Sequence, residues 1–527
     1  MRSIIHVSLV AMFAAALAVL PAAAQPGGAD FSRFVSVGDS LTAGFISGGL
    51  IADVQENSYP SLIFQQATGA PASAFEQPLV SPPGIPALLQ LRSLSPLVIA
   101  SASGMGLPLN LTLARPYSNL AVPGAEVADA LRTVTDNGGL HDLILRGLGT
   151  QVQQALVQQP TFVTVWLGNN DALAAATSGV VIEGVTLTPA AEFEADYRAV
   201  VGALAQSGAG LALANIPEVT AIPFVTALPP VLINPATNQP VLVGGAPVPL
   251  LGPDGPLRPG QDFLLLTATQ ELAVGNGIPL ALGGSGLPLS SQVVLSADEA
   301  AAINARVADY NRVIRSVANE VGAALVDMNA IFAEIARSGV LVGGIDFGTD
   351  FLTGGLFSFD GVHATPLGYA VVANAFIDAI NAKFGNSIAQ VGLSPFVFGP
   401  LASRGTGIAD ASVAGMKLTR AAEDQLRFAL GVPKRRALRA IMRQQGMVDV
   451  APRGDNSGGG DRPGDDPPQR CPLPPGHPKF CDVCGPCAVG EGDCDLKPNQ
   501  CRAGLVCVQD IGADYGFHHK IDVCQTP

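Results

Sequence analysis

Histidine and charged residues are both scarce in this sequence. Charged residues make up 14% of the 527 positions, and the formal net charge is −14. Binding to a nucleic-acid backbone needs a basic surface, so the acidic balance excludes a nucleic-acid partner. Only two histidines lie in the main body of the chain, His141 and His363. The full set is His6, His141, His363, His477, His518 and His519.

Cysteine is missing from most of the chain, because all eight cysteines lie between residues 471 and 527. An even number of cysteines in an exported, loop-rich tail predicts disulfides, although the sequence does not choose among the pairings. The spacing of Cys481, Cys484 and Cys487 would also suit zinc, but an oxidising compartment favours disulfides. We therefore predict a small disulfide-rich C-terminal module over 471–527, with a polymer or a cell surface as its candidate ligand.

The N-terminus has the pattern of a secretory signal peptide. It begins with a basic residue, Arg2, continues with an apolar stretch, and has Ala22 and Ala24 in the small-residue arrangement that precedes cleavage. We predict a cleaved signal peptide over residues 1–24 and a secreted, periplasmic or cell-surface protein. An uncleaved membrane anchor is the alternative, because the apolar stretch is somewhat long.

The composition changes twice before the cysteines. Residues 394–447 have a pattern that predicts two helices interrupted between Gly431 and Pro433, with a basic run that is typical of a solvated helix face. Residues 448–470 are rich in glycine, proline and aspartate, which predicts a disordered linker. We expect the main domain to span residues 30–393.

Several catalytic patterns are missing. The sequence has no G-x-S-x-G nucleophile elbow, no P-loop and no dinucleotide-binding glycine pattern between a strand and a helix. A two-metal phosphoesterase usually needs several histidines, and His141 and His363 are too few. We therefore predict no metal site and no cofactor.

Two distant strings contain the residue types of a nucleophilic serine site. Ser40 is at the centre of VSVGDSLTAG, and FSFDGVHATPLGY contains Asp360 and His363. A serine hydroxyl becomes a good nucleophile when a base takes its proton and a third group orients that base. His363 follows Asp360 by three residues in a glycine-containing loop, so the carboxylate can accept from Nδ1 while Nε2 faces outward. His141 lacks this context and is interpreted as a surface histidine near a helix start.

Two further strings supply candidate donors for a developing oxyanion. They are SNLAVPGAEV around Gly124 and VWLGNNDA around Asn170. Each string also has a structural interpretation, as a turn or as the N-cap of a helix. Their joint occurrence with the serine and histidine strings favours catalysis.

In this order the strings resemble the SGNH subgroup of the GDSL hydrolases. The match comprises GDSL at 38–41, Gly124, GNND at 168–171 and DGVH at 360–363, within a resemblance over about residues 31–381. The resemblance implies that Ser40 is the nucleophile, that His363 is the base and then the acid, and that Asp360 orients it. It also implies an oxyanion hole formed by the backbone N–H groups of Ser40 and Gly124 with the side-chain amide of Asn170.

Apolar runs alternate with helical stretches along the main domain. The runs are FVSV, TFVTVWL, GLALANI and GAALVDM. This alternation predicts an α/β fold, a three-layer α/β/α arrangement with a central parallel sheet, as in SGNH hydrolases. Ligands of such sheets bind outside the carboxyl ends of the strands, where the loops after the first two runs would bring Ser40 and Asn170 together.

Two long apolar insertions interrupt the alternation, near 78–116 and 224–295. Loops of this length inside a domain are usually functional or disordered, and apolar segments have surface to bury. One hypothesis is that the insertions form the walls of an acyl-binding cleft. The alternative is extra packing over the edge of the sheet.

Together these features predict an exported serine esterase or lipase that cleaves carboxylic esters through an acyl-enzyme. The expected substrate is an ester of a lipid-like molecule or of an acylated glycan. A carbohydrate O-deacetylase is the nearest alternative. An adhesion protein built on a hydrolase scaffold is another, but Ser40, Asp360 and His363 are all present, which argues against it.

Overall fold

The structure, a computed structural model, describes residues 28–94, 97–399, 416–430, 432–433, 435–447, 506–508 and 523–525. The predicted signal peptide, the predicted linker and most of the cysteine-rich region lie outside these residues. The chain divides into two units, the first ending at Arg453 and the second beginning at Gly454.

Strands of the described residues are mostly short. In chain order they are β1 (Phe34–Gly38), β2 (Leu89–Leu94), β3 (Leu97–Ser101), β4 (Phe162–Trp166), β5 (Gly210–Ala214), β6 (Ile233–Asn234), β7 (Gln239–Pro240), β8 (Leu242–Val243), β9 (Ala246–Pro247), β10 (Leu251–Gly252), β11 (Gly255–Pro256), β12 (Phe263–Leu264), β13 (Val294–Leu295), β14 (Ala324–Val326), β15 (Val340–Val342), β16 (Ile345–Phe347), β17 (Lys417–Leu418), β18 (Val506–Val508) and β19 (Val523–Gln525).

The α-helices range from one turn to seven turns. In chain order they are α1 (Ser40–Ala43), α2 (Ala52–Gln55), α3 (Tyr59–Thr68), α4 (Asp129–Arg132), α5 (Leu140–Leu145), α6 (Gln151–Val157), α7 (Asn170–Ser178), α8 (Ala190–Ala205), α9 (Pro223–Thr226), α10 (Thr269–Ala273), α11 (Ala297–Val321), α12 (Met328–Ser338), α13 (Pro366–Phe384), α14 (Ser394–Phe398), α15 (Arg420–Ala429) and α16 (Arg435–Gln444).

The central sheet consists of the four strands that the apolar runs predicted, in the order β1-β4-β5-β14. All three pairings are parallel, and β1 pairs with β4 from Phe34–Phe162 to Gly38–Trp166. Every residue of β1 and β4 is buried, which explains why these strands appear as continuous apolar runs.

Helices flank this sheet in two groups. α3 packs on α13, which in turn packs on β5 and β14, and α6, α8 and α11 form the other group. α11 shows how the sequence places a helix on a sheet: Ile303, Val307, Tyr310 and Ile314 recur at intervals of three or four and are all buried. The predicted α/β fold with a central parallel sheet is confirmed.

The first insertion contains β2 and β3, which pair antiparallel, and β17 from the C-terminal extension joins β3 in parallel. The extension also includes α15, which packs on β3, and α16. In the second unit, β18 and β19 pair antiparallel, with residue 507 opposite residue 524. The pairing of the cysteine side chains lies outside what the structure describes.

The second insertion contains small antiparallel strand pairs, and its residues line most of an apolar cavity of about 280 Å³. Leu232, Leu250, Leu264 and Met416 are among its lining residues. None of the candidate catalytic or oxyanion residues lines this cavity, so the hypothesis of an acyl cleft formed by the insertions stays a prediction.

Among the described residues, no helix combines the length and the apolar character needed to cross a bilayer.

Candidate active site

Ser40 begins the short helix α1, immediately after the carboxyl end of β1. The Asp39 side chain caps this helix by accepting from the Leu41 backbone N–H, at 3.0 Å. Gly38 permits the tight turn, because a Cβ there would lie 2.1 Å from Oγ1 of Thr42. The glycine and aspartate of the GDSL string therefore place Ser40 at the carboxyl end of a strand of the central sheet.

His363 contacts both of its predicted partners. Its Nε2 lies 2.8 Å from Oγ of Ser40, and its Nδ1 lies 2.8 Å from Oδ2 of Asp360. An ionised carboxylate only accepts hydrogen bonds, so Nδ1 carries the proton and Nε2 is free to accept one from the hydroxyl. The structure thus brings Ser40, His363 and Asp360 together, although Ser40 and His363 are 323 positions apart in the chain.

The Asp360 carboxylate accepts five hydrogen bonds. Oδ2 accepts from His363 Nδ1 and from the Gly48 backbone N–H at 2.9 Å. Oδ1 accepts from the backbone N–H groups of Val362 and His363, at 2.9 and 2.8 Å, and from the Ser358 hydroxyl at 3.1 Å. These bonds hold the carboxylate in one orientation, and the bond to Nδ1 fixes the imidazole tautomer.

Burial and hydrogen bonding act in opposite directions on Asp360. The side chain is fully buried, which by itself raises the pKa of the carboxyl. His363 and the hydrogen bonds from His363 and Val362 more than offset that effect, so the pKa lies below its ordinary value. Asp360 is therefore an ionised partner for His363 at neutral pH.

The Phe45 ring packs against the imidazole of His363, with the two ring centroids 4.8 Å apart.

Gly48 and Ser358 were missed by reasoning from the sequence. Ser358 stands two residues before Asp360 inside the FSFDGVH string, so its hydroxyl was available as a signal. Gly48 contributes a backbone N–H, which every residue except proline has, and nothing in FISGGL marks it. Gln425 of α15 donates to the carbonyl oxygens of Gly48 and Ala87, at 2.9 and 2.6 Å, and so supports the same loop.

Gly124 is brought to the site by a segment that runs beside β1. The Leu120 N–H donates to the Ser36 carbonyl oxygen and the Val122 N–H to that of Gly38, at 2.9 and 3.0 Å. Gly124 then follows at the end of β1 with φ of +84°, and a Cβ built on it would meet no atom within 4 Å. Its backbone thus borders open space next to the start of α1.

Asn170 is the first residue of α7, which follows β4 after a short loop. Its Nδ2 donates to the carbonyl oxygen of Ala125 at 2.9 Å, which ties it to the loop that carries Gly124. An asparagine amide has two hydrogens, so one donor remains. Asn170 is therefore held next to the loop that carries Gly124.

A buried hydrogen bond joins the GDSL and GNND strings. Nδ2 of Asn169 donates to Oδ2 of Asp39 at 2.8 Å. Burial raises the pKa of Asp39 to about 6, against the opposing effect of its bonds from Asn169 and Leu41. The hydrogen bond between Asp39 and Asn169 links the loop of Ser40 to the loop of Asn170.

Two carboxyl groups, those of Asp171 and Glu126, lie next to the loop that carries Gly124. The Asp171 carboxylate accepts from the Val127 N–H at 3.0 Å. Burial and the neighbouring Glu126 raise the pKa of Asp171 to about 7, and burial and Asp129 raise the pKa of Glu126 to about 7.

His141 lies in α5, where its Nδ1 is 3.2 Å from Oδ2 of Asp136. It makes no hydrogen bond to Ser40, Asp360 or Asn170 in the described part of the chain. Within the same residues, no three side chains of histidine, cysteine, aspartate or glutamate cluster so as to hold a metal ion.

The fold and the site together define a class, the hydrolases with a central parallel sheet and a serine at the carboxyl end of one of its strands. The model of the GDSL-like lipase/acylhydrolase family matches residues 34–376. The chain belongs to this family, which confirms the resemblance seen in the sequence, and it is an ester-hydrolysing enzyme. No curated protein is significantly similar to it in sequence.

Three solved structures illustrate the structural similarity. A catalytic mutant of an acetylxylan esterase from Geobacillus stearothermophilus is 13% identical, with a TM-score of 0.33, and the match covers 68% of this chain and 98% of that one. An α/β hydrolase from the metagenome of Lake Arreo is 15% identical, with a TM-score of 0.31 and the same coverage. A GDSL-like lipase from Parabacteroides merdae is 12% identical, with a TM-score of 0.30 over 68% and 98%.

Proposed function

We propose that this protein is an exported serine esterase that cleaves carboxylic esters through a Ser40–His363–Asp360 acyl-enzyme mechanism. The observation that carries the proposal is the pair of 2.8 Å contacts that His363 makes, one to the Ser40 hydroxyl and one to the Asp360 carboxylate. A nucleophile, a base and an orienting group in hydrogen-bond contact are the elements that acyl transfer requires.

In the first half-reaction, His363 Nε2 takes the proton of Ser40 while Oγ attacks the ester carbonyl carbon. Negative charge develops on the carbonyl oxygen, which accepts from the N–H groups of Ser40 and Gly124 and from the second amide hydrogen of Asn170. His363 then gives its proton to the departing alkoxide, so an alcohol leaves and the acyl group stays on Oγ. Asp360 stabilises the imidazolium and remains ionised.

In the second half-reaction, water replaces the alcohol. His363 takes a proton from the water, whose oxygen attacks the acyl carbonyl, and the same three donors stabilise the second oxyanion. His363 returns the proton to Oγ as the carboxylic acid leaves. Activity is expected to fall in acid, because a protonated imidazole cannot accept the serine proton.

Export is supported by the N-terminal signal pattern in residues 1–24. The carbohydrate O-deacetylase and the adhesion scaffold remain alternatives that experiment separates. An esterase hydrolyses soluble short-chain and longer-chain esters, a deacetylase releases acetate from acetylated glycans in preference, and an adhesion scaffold does neither.

Fluorophosphonate labelling of the purified full chain tests the proposal. We expect stoichiometric labelling that is lost in Ser40→Ala, together with loss of ester hydrolysis. Ser316→Ala is a suitable control, since the Ser316 hydroxyl donates to Glu320 on the exposed side of α11. Labelling or hydrolysis that persisted in folded Ser40→Ala would rule out this mechanism.

A further inference from the structure

Residues 416–430 of the C-terminal extension fold onto the unit that contains the candidate active site, although the family match ends at residue 376. Strand β17 pairs in parallel with β3, and the Thr419 N–H continues this pairing by donating to the Ile99 carbonyl oxygen at 3.1 Å. Apolar side chains at every fourth position are buried in the main hydrophobic core: Leu418, Ala422, Leu426 and Leu430. The extension is therefore built into the catalytic unit.

Gln425 of α15 bonds to the loop beside the candidate active site. Its Nε2 donates to the carbonyl oxygens of Gly48 and Ala87, at 2.9 and 2.6 Å, and its Oε1 accepts from the Ser101 hydroxyl at 2.6 Å. Both amide hydrogens and the amide oxygen therefore have partners. These bonds fix the orientation of the amide, because exchanging its nitrogen and oxygen would place an acceptor against two carbonyl oxygens.

Gly48 connects this amide to the candidate active site. Its carbonyl oxygen accepts from Gln425, and its N–H donates to Oδ2 of Asp360 at 2.9 Å. Gly48 has φ of +78°, a conformation that glycine adopts readily, and a Cβ there would lie 2.9 Å from Nε2 of Gln425. The amide thus occupies the space that a side chain at position 48 would need, and one residue is held between Gln425 and Asp360.

Oδ2 is the oxygen of Asp360 that faces Nδ1 of His363. Among the described residues it accepts two hydrogen bonds, one from that ring nitrogen and one from the Gly48 N–H. Without the second bond, the position of Oδ2 would depend on the donors to Oδ1, on the other side of the carboxyl group. A shift of Oδ2 would move the imidazole out of line with the Ser40 hydroxyl, and the rate of such a site falls steeply when its groups are misplaced.

The other two partners of Gln425 belong to the first insertion. Ala87 lies two residues before Leu89, whose N–H donates to the Ser47 carbonyl oxygen at 2.7 Å, and Ser101 is the last residue of β3. The Gln425 amide therefore joins the loop at 47–48, the first insertion and α15 at one point.

We propose that Gln425 is a positioning residue for ester hydrolysis, which acts through Gly48 to hold Oδ2 of Asp360 against His363. The catalytic unit then extends beyond the matched residues 34–376 to at least residue 425. The inference rests on the proposed Ser40–His363–Asp360 mechanism and names a residue that supports this mechanism from outside the site.

Two substitutions of Gln425 in the full chain test the proposal. Gln425→Met keeps a side chain of similar length without an N–H group, and Gln425→Asn keeps the amide on a side chain one methylene shorter. The matched control is Gln158→Met, because Nε2 of Gln158 also donates to two carbonyl oxygens, those of Tyr117 and Gln154, at 3.0 and 3.2 Å. Gln158 lies between α6 and the start of β4, so it is at the edge of the sheet opposite the site.

Loss of a donor makes the Asp360 carboxylate attract the imidazolium proton more strongly. We therefore expect both Gln425 variants to move the acid limb of the kcat/KM profile to higher pH by about 0.5 pH unit and to lower kcat about tenfold, for a soluble short-chain ester. The control should lower Tm but keep the acid limb and the kcat of the wild type. A purely structural role of Gln425 would likewise change Tm without moving the acid limb.

A double-mutant cycle identifies the route of the effect. In the Asp360→Asn background, Gln425→Met should lower kcat no further, because the carboxylate through which Gln425 acts is gone. Losses that multiply in the double variant would show that Gln425 acts by a separate route, and the proposal would be wrong.

The proposal is also overturned if every folded Gln425 variant keeps the wild-type acid limb and a kcat within about twofold of the wild type. It is equally overturned if neither variant folds, since Gln425 would then serve folding. The proposed function fails separately, when Ser40→Ala keeps its hydrolytic activity whatever the Gln425 variants show.

Discussion

Replacement of Asp360 by asparagine is the sharpest test of the candidate site. Of the five hydrogen bonds that the carboxylate accepts, three reach Oδ1 and two reach Oδ2. An asparagine keeps one oxygen, and it loses fewest bonds when that oxygen takes the place of Oδ1. The amide nitrogen then faces Nδ1 of His363 and the N–H of Gly48.

This orientation reverses the tautomer of His363. The amide nitrogen donates, so Nδ1 must accept and the proton moves to Nε2, where it blocks transfer from the Ser40 hydroxyl. A reversed tautomer at such a site lowers kcat about 10⁴-fold, which corresponds to about 5 kcal/mol of transition-state stabilisation. The Gly48 N–H also loses its acceptor, which should cost about 1–3 kcal/mol of folding stability.

The assay is kcat for a soluble short-chain ester, measured with thermal unfolding of the same preparation. Asp327→Asn is the matched control, because Asp327 accepts from the Asn215 side chain and the Ala330 N–H, at 2.7 and 3.2 Å, away from the site. Both bonds reach the same oxygen of Asp327, which an asparagine keeps, so the control should leave both kcat and Tm nearly unchanged. A folded Asp360→Asn protein that kept more than about a tenth of the wild-type kcat would refute the tautomer argument.

Two further predictions concern Asn170 and Asp171, the first two residues of α7. Asn170→Ala should lower kcat about 100-fold or more with the fold intact, because one oxyanion donor is removed. Steady-state kinetics measure kcat, and circular dichroism checks the fold. A variant with wild-type turnover would remove Asn170 from the mechanism. Asp171→Asn should flatten the dependence of Tm on pH. The pKa of Asp171 is raised to about 7 in the folded state, so its stabilising contribution is present below about pH 4 and is lost as the pH rises through about 7. The wild-type Tm should therefore fall towards alkaline pH more steeply than that of the variant, and parallel profiles would contradict this assignment.

The four strands of the central sheet could be predicted because each is mostly buried and appears as an apolar run. Their order, β1-β4-β5-β14, could not be read from the runs. Nor could the segment at 118–122 be predicted beside β1, because its pairing depends on backbone hydrogen bonds to Ser36 and Gly38, far away in the chain.

The surface of the first insertion shows the same division. Its apolar composition was evident, and both burial and a cleft wall were reasonable expectations. Only the structure shows that Gly106 and Asn110 face inward and leave Met105, Leu107 and Leu109 in solvent.

The order of amino acids was enough to name the chemistry of the candidate site, since a hydroxyl, an imidazole and a carboxylate are properties of Ser40, His363 and Asp360 themselves. The 2.8 Å contacts of His363 with Ser40 and with Asp360 exist only in the folded chain. The same is true of the hydrogen bond from the Gly48 N–H to Asp360, which is 312 positions away. A side chain has the same functional group in any conformation, whereas a contact between distant residues depends on how every intervening element packs.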